Sequence, residues 1–124
     1  MESAVAIRRA LLGNTFDLCT IMRGRNGHCS EDCAFCVQSS VSEGQVDLLN
    51  TIDDEKVIEN AKCADAAGIR HFALVFAGRK LSKRDVENVA HLYRRLKRET
   101  NLRLCLSGGL LHRDELALLQ EAGL

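Results

Sequence analysis

The chain has no proline, no tryptophan and no excess of charge of either sign. Its 17 Lys and Arg residues balance 17 Asp and Glu residues, which argues against a surface specialised for nucleic acid or for an anionic membrane. No apolar run approaches the length that spans a bilayer, and the first residues lack a secretory signal pattern. We therefore expect a cytoplasmic protein of at most one domain, because 124 residues suffice only for a modest core.

Three of the six cysteines lie close together in the sequence. Cys29, Cys33 and Cys36 are spaced Cys-x3-Cys-x2-Cys within eight residues. In a chain without an export signal, this clustering favours metal binding over disulfides. A closed structural zinc site normally takes four protein ligands, whereas three thiolates leave one iron of a four-iron cluster open for chemistry. The spacing therefore predicts an open iron–sulfur site, and the alternative is a zinc knuckle completed by His28 or another cysteine.

Strand and helix patterns alternate along the chain. The predicted strands are residues 16–22, 69–77 and 102–107, and the predicted helices are residues 5–12, 51–67, 82–96 and 113–122. This alternation predicts βαβ units, a parallel sheet and chemistry at the carboxyl ends of the strands, where the cysteine loop lies. A closed barrel usually takes about 250 residues. We therefore expect an α/β fold of about three βα units, the N-terminal piece of an incomplete (β/α) barrel.

Local signals within these elements lead to further expectations. Thr51 or Asp53 should cap the second helix, and Ser82 with Asp85 should begin the third. The third helix should bury a stripe formed by Val86, Val89, Ala90, Tyr93 and Leu96.

We expect two further cysteines and one histidine to have structural roles, because of their places in the predicted elements. Cys19 within the first predicted strand and Cys63 within the second predicted helix are expected to be small packing residues. His28 is expected to be solvated or to support the neighbouring cysteines rather than to act alone.

The segments around the three clustered cysteines resemble the biotin synthase family of the radical S-adenosylmethionine (SAM) superfamily. The resemblance rests on residues 13–21, 27–33 and 35–40, above all on Glu31-Asp32 between the first two cysteines and on residues 38–40 after the third. It continues weakly to the last residue and covers less than half of a typical family member. It implies a TIM-type barrel of the radical SAM kind, with residues 1–124 as its N-terminal part.

The resemblance also implies which residues bind the first cluster. Cys29, Cys33 and Cys36 would hold a 4Fe-4S cluster, and the iron without a cysteine would bind SAM and reduce it, so that its carbon–sulfur bond breaks. Glu31 and Asp32 are expected to shape the loop rather than to bind iron.

Further residues match positions that contact SAM in the family. Phe35 would lie beside the adenine ring. The segment that begins with Phe76, Ala77 and Gly78 and ends with Arg79 would bind the methionine amino group through backbone and polar atoms.

The implied reaction converts dethiobiotin to biotin, with sulfur supplied by an auxiliary iron–sulfur cluster, either 2Fe-2S or another type. Cys105 matches one ligand of that second cluster, with a small buried packing residue as the alternative, whereas the position of another ligand is Ala73 in this chain. The implied partners are a flavodoxin or ferredoxin as electron donor and a second copy in a full-length homodimer. One alternative, which Ala73 favours, is a related radical SAM enzyme with another substrate. The other is a metal-binding fragment that catalyses nothing.

Overall fold

The computed structural model describes residues 2–25, 27, 29–48 and 52–124, which form an α/β fold with a parallel sheet. Its strands are β1 (Cys19–Arg25), β2 (His71–Phe76) and β3 (Arg103–Ser107), and its helices are α1 (Glu2–Leu12), α2 (Asp54–Ala66), α3 (Lys83–Glu99) and α4 (Arg113–Glu121). The strand order is β1-β2-β3, so each strand pairs with the next one along the chain. The predicted α/β class and strand–helix alternation are confirmed.

The register of the sheet aligns the three strands residue by residue. Ile21 of β1 pairs with Ala73 of β2, and Ala73 pairs in turn with Cys105 of β3. The register shifts between Arg23 and Arg25, at the carboxyl end of β1. The ring of Phe76 occupies the space that a Cβ at position 24 would need, so glycine at this position lets the two strand ends approach.

The hydrophobic core lies on the face of the sheet that α2, α3 and α4 cover. Phe72 and Leu74 of the central strand are 1% and 0% exposed, as expected for alternate residues that face a helix layer. Each of the three helices contributes buried apolar residues to the same cluster. The predicted stripe of α3 is buried in full, at Val86, Val89, Ala90, Tyr93 and Leu96. In the described part of the chain, no helix is both long and apolar enough to cross a membrane.

Local capping signals predicted two of the helix starts. Asp53 caps α2 by accepting a hydrogen bond from the Lys56 backbone N–H at 3.2 Å, whereas Thr51, the other candidate, lies outside the described residues. Ser82 and Asp85 form a reciprocal capping box at the start of α3. Both caps satisfy backbone N–H groups that the first helical turn leaves without a partner.

The predicted start of the first strand and the predicted burial of two cysteines are wrong. β1 begins at Cys19 rather than at Phe16, since the register of the sheet starts with the pair Cys19 and His71, and among the described residues before it only the Leu18 carbonyl accepts hydrogen bonds from the partner segment. Cys19 is exposed on the sheet face opposite the helices. Cys63 is exposed as well, since α2 buries Val57, Ile58, Ala61 and Ala64 on its other side.

Tyr93 connects α3 to the middle of β3. Its side chain is completely buried, and its hydroxyl donates a hydrogen bond to the Cys105 carbonyl at 2.5 Å. Burial raises the pKa of Tyr93, so the phenol keeps the proton that it donates.

Removing that hydroxyl should destabilise the fold modestly. Tyr93→Phe keeps the packed ring but leaves the Cys105 carbonyl without this donor, and we expect the free energy of unfolding to fall by about 1 kcal/mol. Urea denaturation measures the change, with an unchanged slope expected because the ring stays buried. An unaltered unfolding midpoint would mean that the hydrogen bond contributes nothing net.

Candidate functional site

The carboxyl ends of the three parallel strands bring three connections to one edge of the sheet. We name them the cysteine loop (residues 29–40), the post-β2 loop (residues 77–82) and the post-β3 turn (residues 108–111). In parallel α/β folds this edge is where ligands bind, because the loops there vary while the strands hold them in place. The sequence-based placement of the three cysteines at this edge agrees with the strand directions.

The cysteine loop is closed by hydrogen bonds between its two ends. The Cys29 N–H donates to the Gln38 carbonyl at 3.0 Å, and the Ser40 N–H donates to the Glu31 carbonyl at 2.9 Å. The Gln38 side chain adds a third link by accepting from the Gly27 N–H at 3.0 Å. The Gln-Ser-Ser segment that carried the family resemblance therefore has a structural role, which is to close the loop that carries the thiols.

The three thiols of this loop are unpaired and accessible. Cys33 is exposed, whereas Cys29 and Cys36 are half-buried. The Cys36 N–H donates to the Cys33 carbonyl at 3.0 Å, so the second and third cysteines lie on one tight turn. Thiols that are accessible and not committed to disulfides are available as thiolate ligands.

The donor set of the cysteine loop consists of three thiols, the donor type that holds iron–sulfur clusters. Within residues 2–25, 27, 29–48 and 52–124, no three His, Cys, Asp or Glu side chains are grouped as ligands of one metal ion. A zinc site would bring its sulfurs to about 2.3 Å from one point, whereas in a four-iron cluster each thiolate binds a different iron. His28, the candidate fourth ligand for zinc, lies outside the described residues.

The residues predicted to contact SAM differ in what they offer. The Phe35 side chain is 94% exposed beside Cys36, so one ring face is free to stack on a planar group. The Phe76 ring instead packs over Gly24 at the border of the core. The Ala77 N–H is already bonded to the Arg25 carbonyl at 2.9 Å. A ligand at residues 76–78 would therefore be held mainly by backbone carbonyl groups and by the N–H of residue 78.

Cys105 belongs to β3 and not to the cysteine loop. It is exposed in the interior of β3, on the sheet face opposite the helices. The register places Ala73 directly beside it on β2. The family resemblance implies ligands of the auxiliary cluster at the positions of Cys105 and Ala73, and these two positions are neighbours in the sheet. Only Cys105 provides a sulfur atom.

Two ion pairs at the carboxyl edge could not be predicted from the sequence patterns. Arg79 Nη1 lies 3.1 Å from Glu31 Oε2, which joins the post-β2 loop to the cysteine loop. Arg25 Nη1 lies 2.9 Å from Asp85 Oδ2, which joins the end of β1 to the start of α3. Both pairs span long stretches of sequence, 48 and 60 residues, and although Glu31 and Asp85 were singled out for other roles, nothing in the sequence indicated these partners.

Asp85 combines a cap and an ion pair in one carboxylate. It accepts hydrogen bonds from Ser82 Oγ at 2.8 Å and from the Ser82 N–H at 3.3 Å, in addition to the Arg25 contact. Burial raises the pKa of Asp85, but the Ser82 hydrogen bonds and the Arg25 charge outweigh it, so the net pKa is lowered. The carboxylate also borders a cavity of about 380 Å³ between the strand ends and the helices.

This lowered pKa makes the stability of the chain depend on pH. A carboxyl whose pKa is lower in the folded state stabilises the fold above its unfolded pKa of about 4, and the contribution is lost as the pH falls through the folded pKa. We expect Asp85→Asn to lower the free energy of unfolding at pH 7 and to flatten its decline below about pH 4. Urea denaturation across this range measures both effects. Asp114→Asn in the first turn of α4 is the control, and equal pH profiles for the two variants would contradict the prediction.

The geometry described above defines a parallel α/β protein with a loop of three free thiols at the carboxyl edge of its sheet. The chain is homologous to biotin synthases, which confirms the resemblance found in the sequence. It is 40% identical over 121 residues to biotin synthase from Pelotomaculum thermopropionicum, 37% over 123 residues to that from Clostridioides difficile, and 38% over 123 residues to that from Heliobacterium modesticaldum.

These matches cover nearly all of the chain but only part of each relative. They include 98–99% of the chain, which spans about 38% of the length of the curated relatives. No family model matches the chain.

Proposed function

We propose that the chain is the cluster-binding N-terminal part of a radical SAM enzyme that converts dethiobiotin to biotin. The observation that carries the proposal is the closed loop with three free thiols at the carboxyl edge of a parallel sheet. Other radical SAM enzymes use such a loop for other reactions. The similarity to biotin synthases over 98% of the chain supports the conversion of dethiobiotin to biotin among these reactions.

We further propose that the three βα units belong to a TIM-type barrel. The strands follow one another in sequence order, and the core lies between the sheet and the helices on one face. A doubly wound sheet would reverse its strand order and carry helices on both faces. The other face carries alternating exposed side chains such as Ile21, Arg23 and Cys105, which would line the barrel interior.

In this proposal Cys29, Cys33 and Cys36 each bind one iron of a 4Fe-4S cluster through a thiolate. When bound, the cluster supplies the electron that breaks the carbon–sulfur bond of SAM. The task of the chain is to orient the substrate, to exclude water and to tune the cluster. The exposed Phe35 ring would stack on the adenine, and the backbone of residues 76–78 would hold the methionine portion.

The sulfur-donating part of the reaction depends on a second iron–sulfur cluster. Cys105 is the residue we propose as its ligand in this chain, because its thiol is exposed on the face that would line the barrel. Further ligands, the electron donor (a flavodoxin or ferredoxin) and the homodimer partner belong to the proposal for the complete enzyme. Ala73 beside Cys105 favours a second candidate, a related radical SAM enzyme with a different auxiliary cluster and a different substrate.

Anaerobic reconstitution with iron and sulfide tests the proposal. We expect the reduced chain to show the electron paramagnetic resonance signal of a four-iron cluster, and we expect the signal to shift when SAM is added. A chain that takes up zinc in preference to iron, or whose cluster signal is indifferent to SAM, would contradict the proposed function and leave a metal-binding fragment.

A further inference from the structure

Glu31 is the point at which the cysteine loop contacts the rest of the carboxyl edge. Its carbonyl accepts the Ser40 N–H that closes the loop, and its carboxylate accepts a hydrogen bond from Arg79 Nη1 at 3.1 Å. Glu31 stands midway between the first two cysteines of the loop. The contact at its carboxylate therefore acts on the short segment that joins Cys29 to Cys33.

Arg79 is held independently by the neighbouring turn. Its carbonyl accepts the Leu110 N–H at 2.9 Å, and the next residue, Lys80, forms an antiparallel bridge with Gly109. The Leu81 N–H donates to the Gly108 carbonyl at 3.2 Å, so the post-β2 loop is fastened to the post-β3 turn on both sides of Lys80. The backbone at position 79 is thus fixed to the sheet edge, and its side chain reaches across to the cysteine loop.

The Glu31–Arg79 pair adds little to the global stability of the fold. The Arg79 side chain is 68% exposed and the Glu31 side chain 30% exposed, and ion pairs in water are worth little because solvent screens them. The consequence of the pair is geometric, since it joins two loops that are 48 residues apart in the sequence. The two loops that it joins are the ones that the proposed function places around SAM.

We propose that Arg79 is a positioning residue that holds the post-β2 loop and the cysteine loop at the separation that SAM requires. The inference rests on the proposed function, in which the cysteine loop carries the cluster and the post-β2 loop contacts the methionine portion of SAM. A ligand that contacts both loops binds more tightly when their relative position is set in advance. The guanidinium sets that position through Glu31 and need not touch the ligand.

Two matched variants remove the pair from either side, and two others serve as controls. Arg79→Gln and Glu31→Gln keep the approximate side-chain size and lose the charge, whereas Arg79→Lys keeps a charge that can reach Glu31. Lys80→Gln removes the adjacent ion pair with Glu115 on α4, which does not involve the cysteine loop. For each variant, iron and sulfide content, SAM affinity of the reconstituted protein, and amide hydrogen exchange of residues 29–40 in the metal-free chain are measured.

We expect both Gln variants to bind a normal content of iron and sulfide but to bind SAM about two- to fivefold more weakly, as the loss of an exposed ion pair allows. The double variant should be no weaker than either single variant, because the two residues act through one contact. Hydrogen exchange in residues 29–40 should be faster in both variants, and Arg79→Lys and Lys80→Gln should stay close to the parent chain. The unfolding midpoint should remain unchanged throughout.

Other outcomes would separate the failure of this inference from the failure of the proposed function. Equal SAM affinity and equal exchange in all variants would overturn the positioning role and leave the proposed function intact. Weaker binding in Arg79→Gln alone, with Glu31→Gln unaffected, would also overturn it, since Arg79 would then bind SAM directly. A parent chain whose cluster does not bind SAM would overturn both.

Discussion

Replacing Cys33 with alanine is expected to remove the four-iron signal from the reconstituted chain. Cys33 lies in the middle of the three spaced cysteines, and its exposed thiol is unpaired. Loss of a residue that only supports a metal ligand typically costs 10–100-fold in metal affinity, so loss of a ligand should weaken cluster binding by at least about tenfold and lower the iron retained after desalting. Iron and sulfide analysis with electron paramagnetic resonance of the reduced protein measures the change.

Cys63→Ala is the matched control for this experiment. Its thiol is also exposed and unpaired, but it lies on α2 and not in the cysteine loop. We expect this variant to bind as much iron as the parent chain. A Cys33→Ala protein that keeps the signal would exclude Cys33 as a ligand, and equal losses in the two variants would show that iron binds to exposed thiols without regard to the loop.

The fold could be predicted from the sequence where short-range patterns determine it. The apolar run from Phe72 to Phe76 marks a strand buried by helices, and the Ser82–Asp85 pair marks a helix start through contacts three residues apart. The start of β1 could not be predicted in the same way. Apolar residues precede Cys19, but strand pairing depends on where β2 begins, 52 residues further on in the register. Propensity alone does not contain that information.

The sequence predicted which side chains of the candidate site could bind a cluster, but not the contacts that hold the loops of the site in place. The spacing of the cysteines identifies the donors because the three ligands lie in one short segment. The contacts that shape the site are different, since Glu31 and Arg79 lie 48 residues apart and meet only when β1 and β2 pair. The role of Gln38 was also hidden, because a polar residue in a loop gives no sign of which backbone groups it will bind.

Gly109→Ala is expected to be the most destabilising exchange at the carboxyl edge. Gly109 has φ +75, a conformation that costs other residues about 1–2 kcal/mol. A Cβ at this position would also overlap the Arg79 carbonyl, which is backbone and cannot rotate away. We expect a total loss of about 3 kcal/mol in the free energy of unfolding, measured by urea denaturation, because the conformational cost and the displacement of the post-β2 loop add.

Gly68→Ala separates these two contributions. Gly68 has nearly the same φ, +77, but a Cβ there meets no atom within 4 Å, so only the conformational cost of about 1 kcal/mol should remain. The difference between the two variants measures how tightly the post-β2 loop is fastened to the post-β3 turn. If that fastening is firm, Gly109→Ala should also speed hydrogen exchange in residues 29–40, since it moves the backbone that carries Arg79 toward or away from Glu31. Equal losses for the two glycines would mean that the loops separate easily, and Arg79 would then have no fixed base from which to position the cysteine loop.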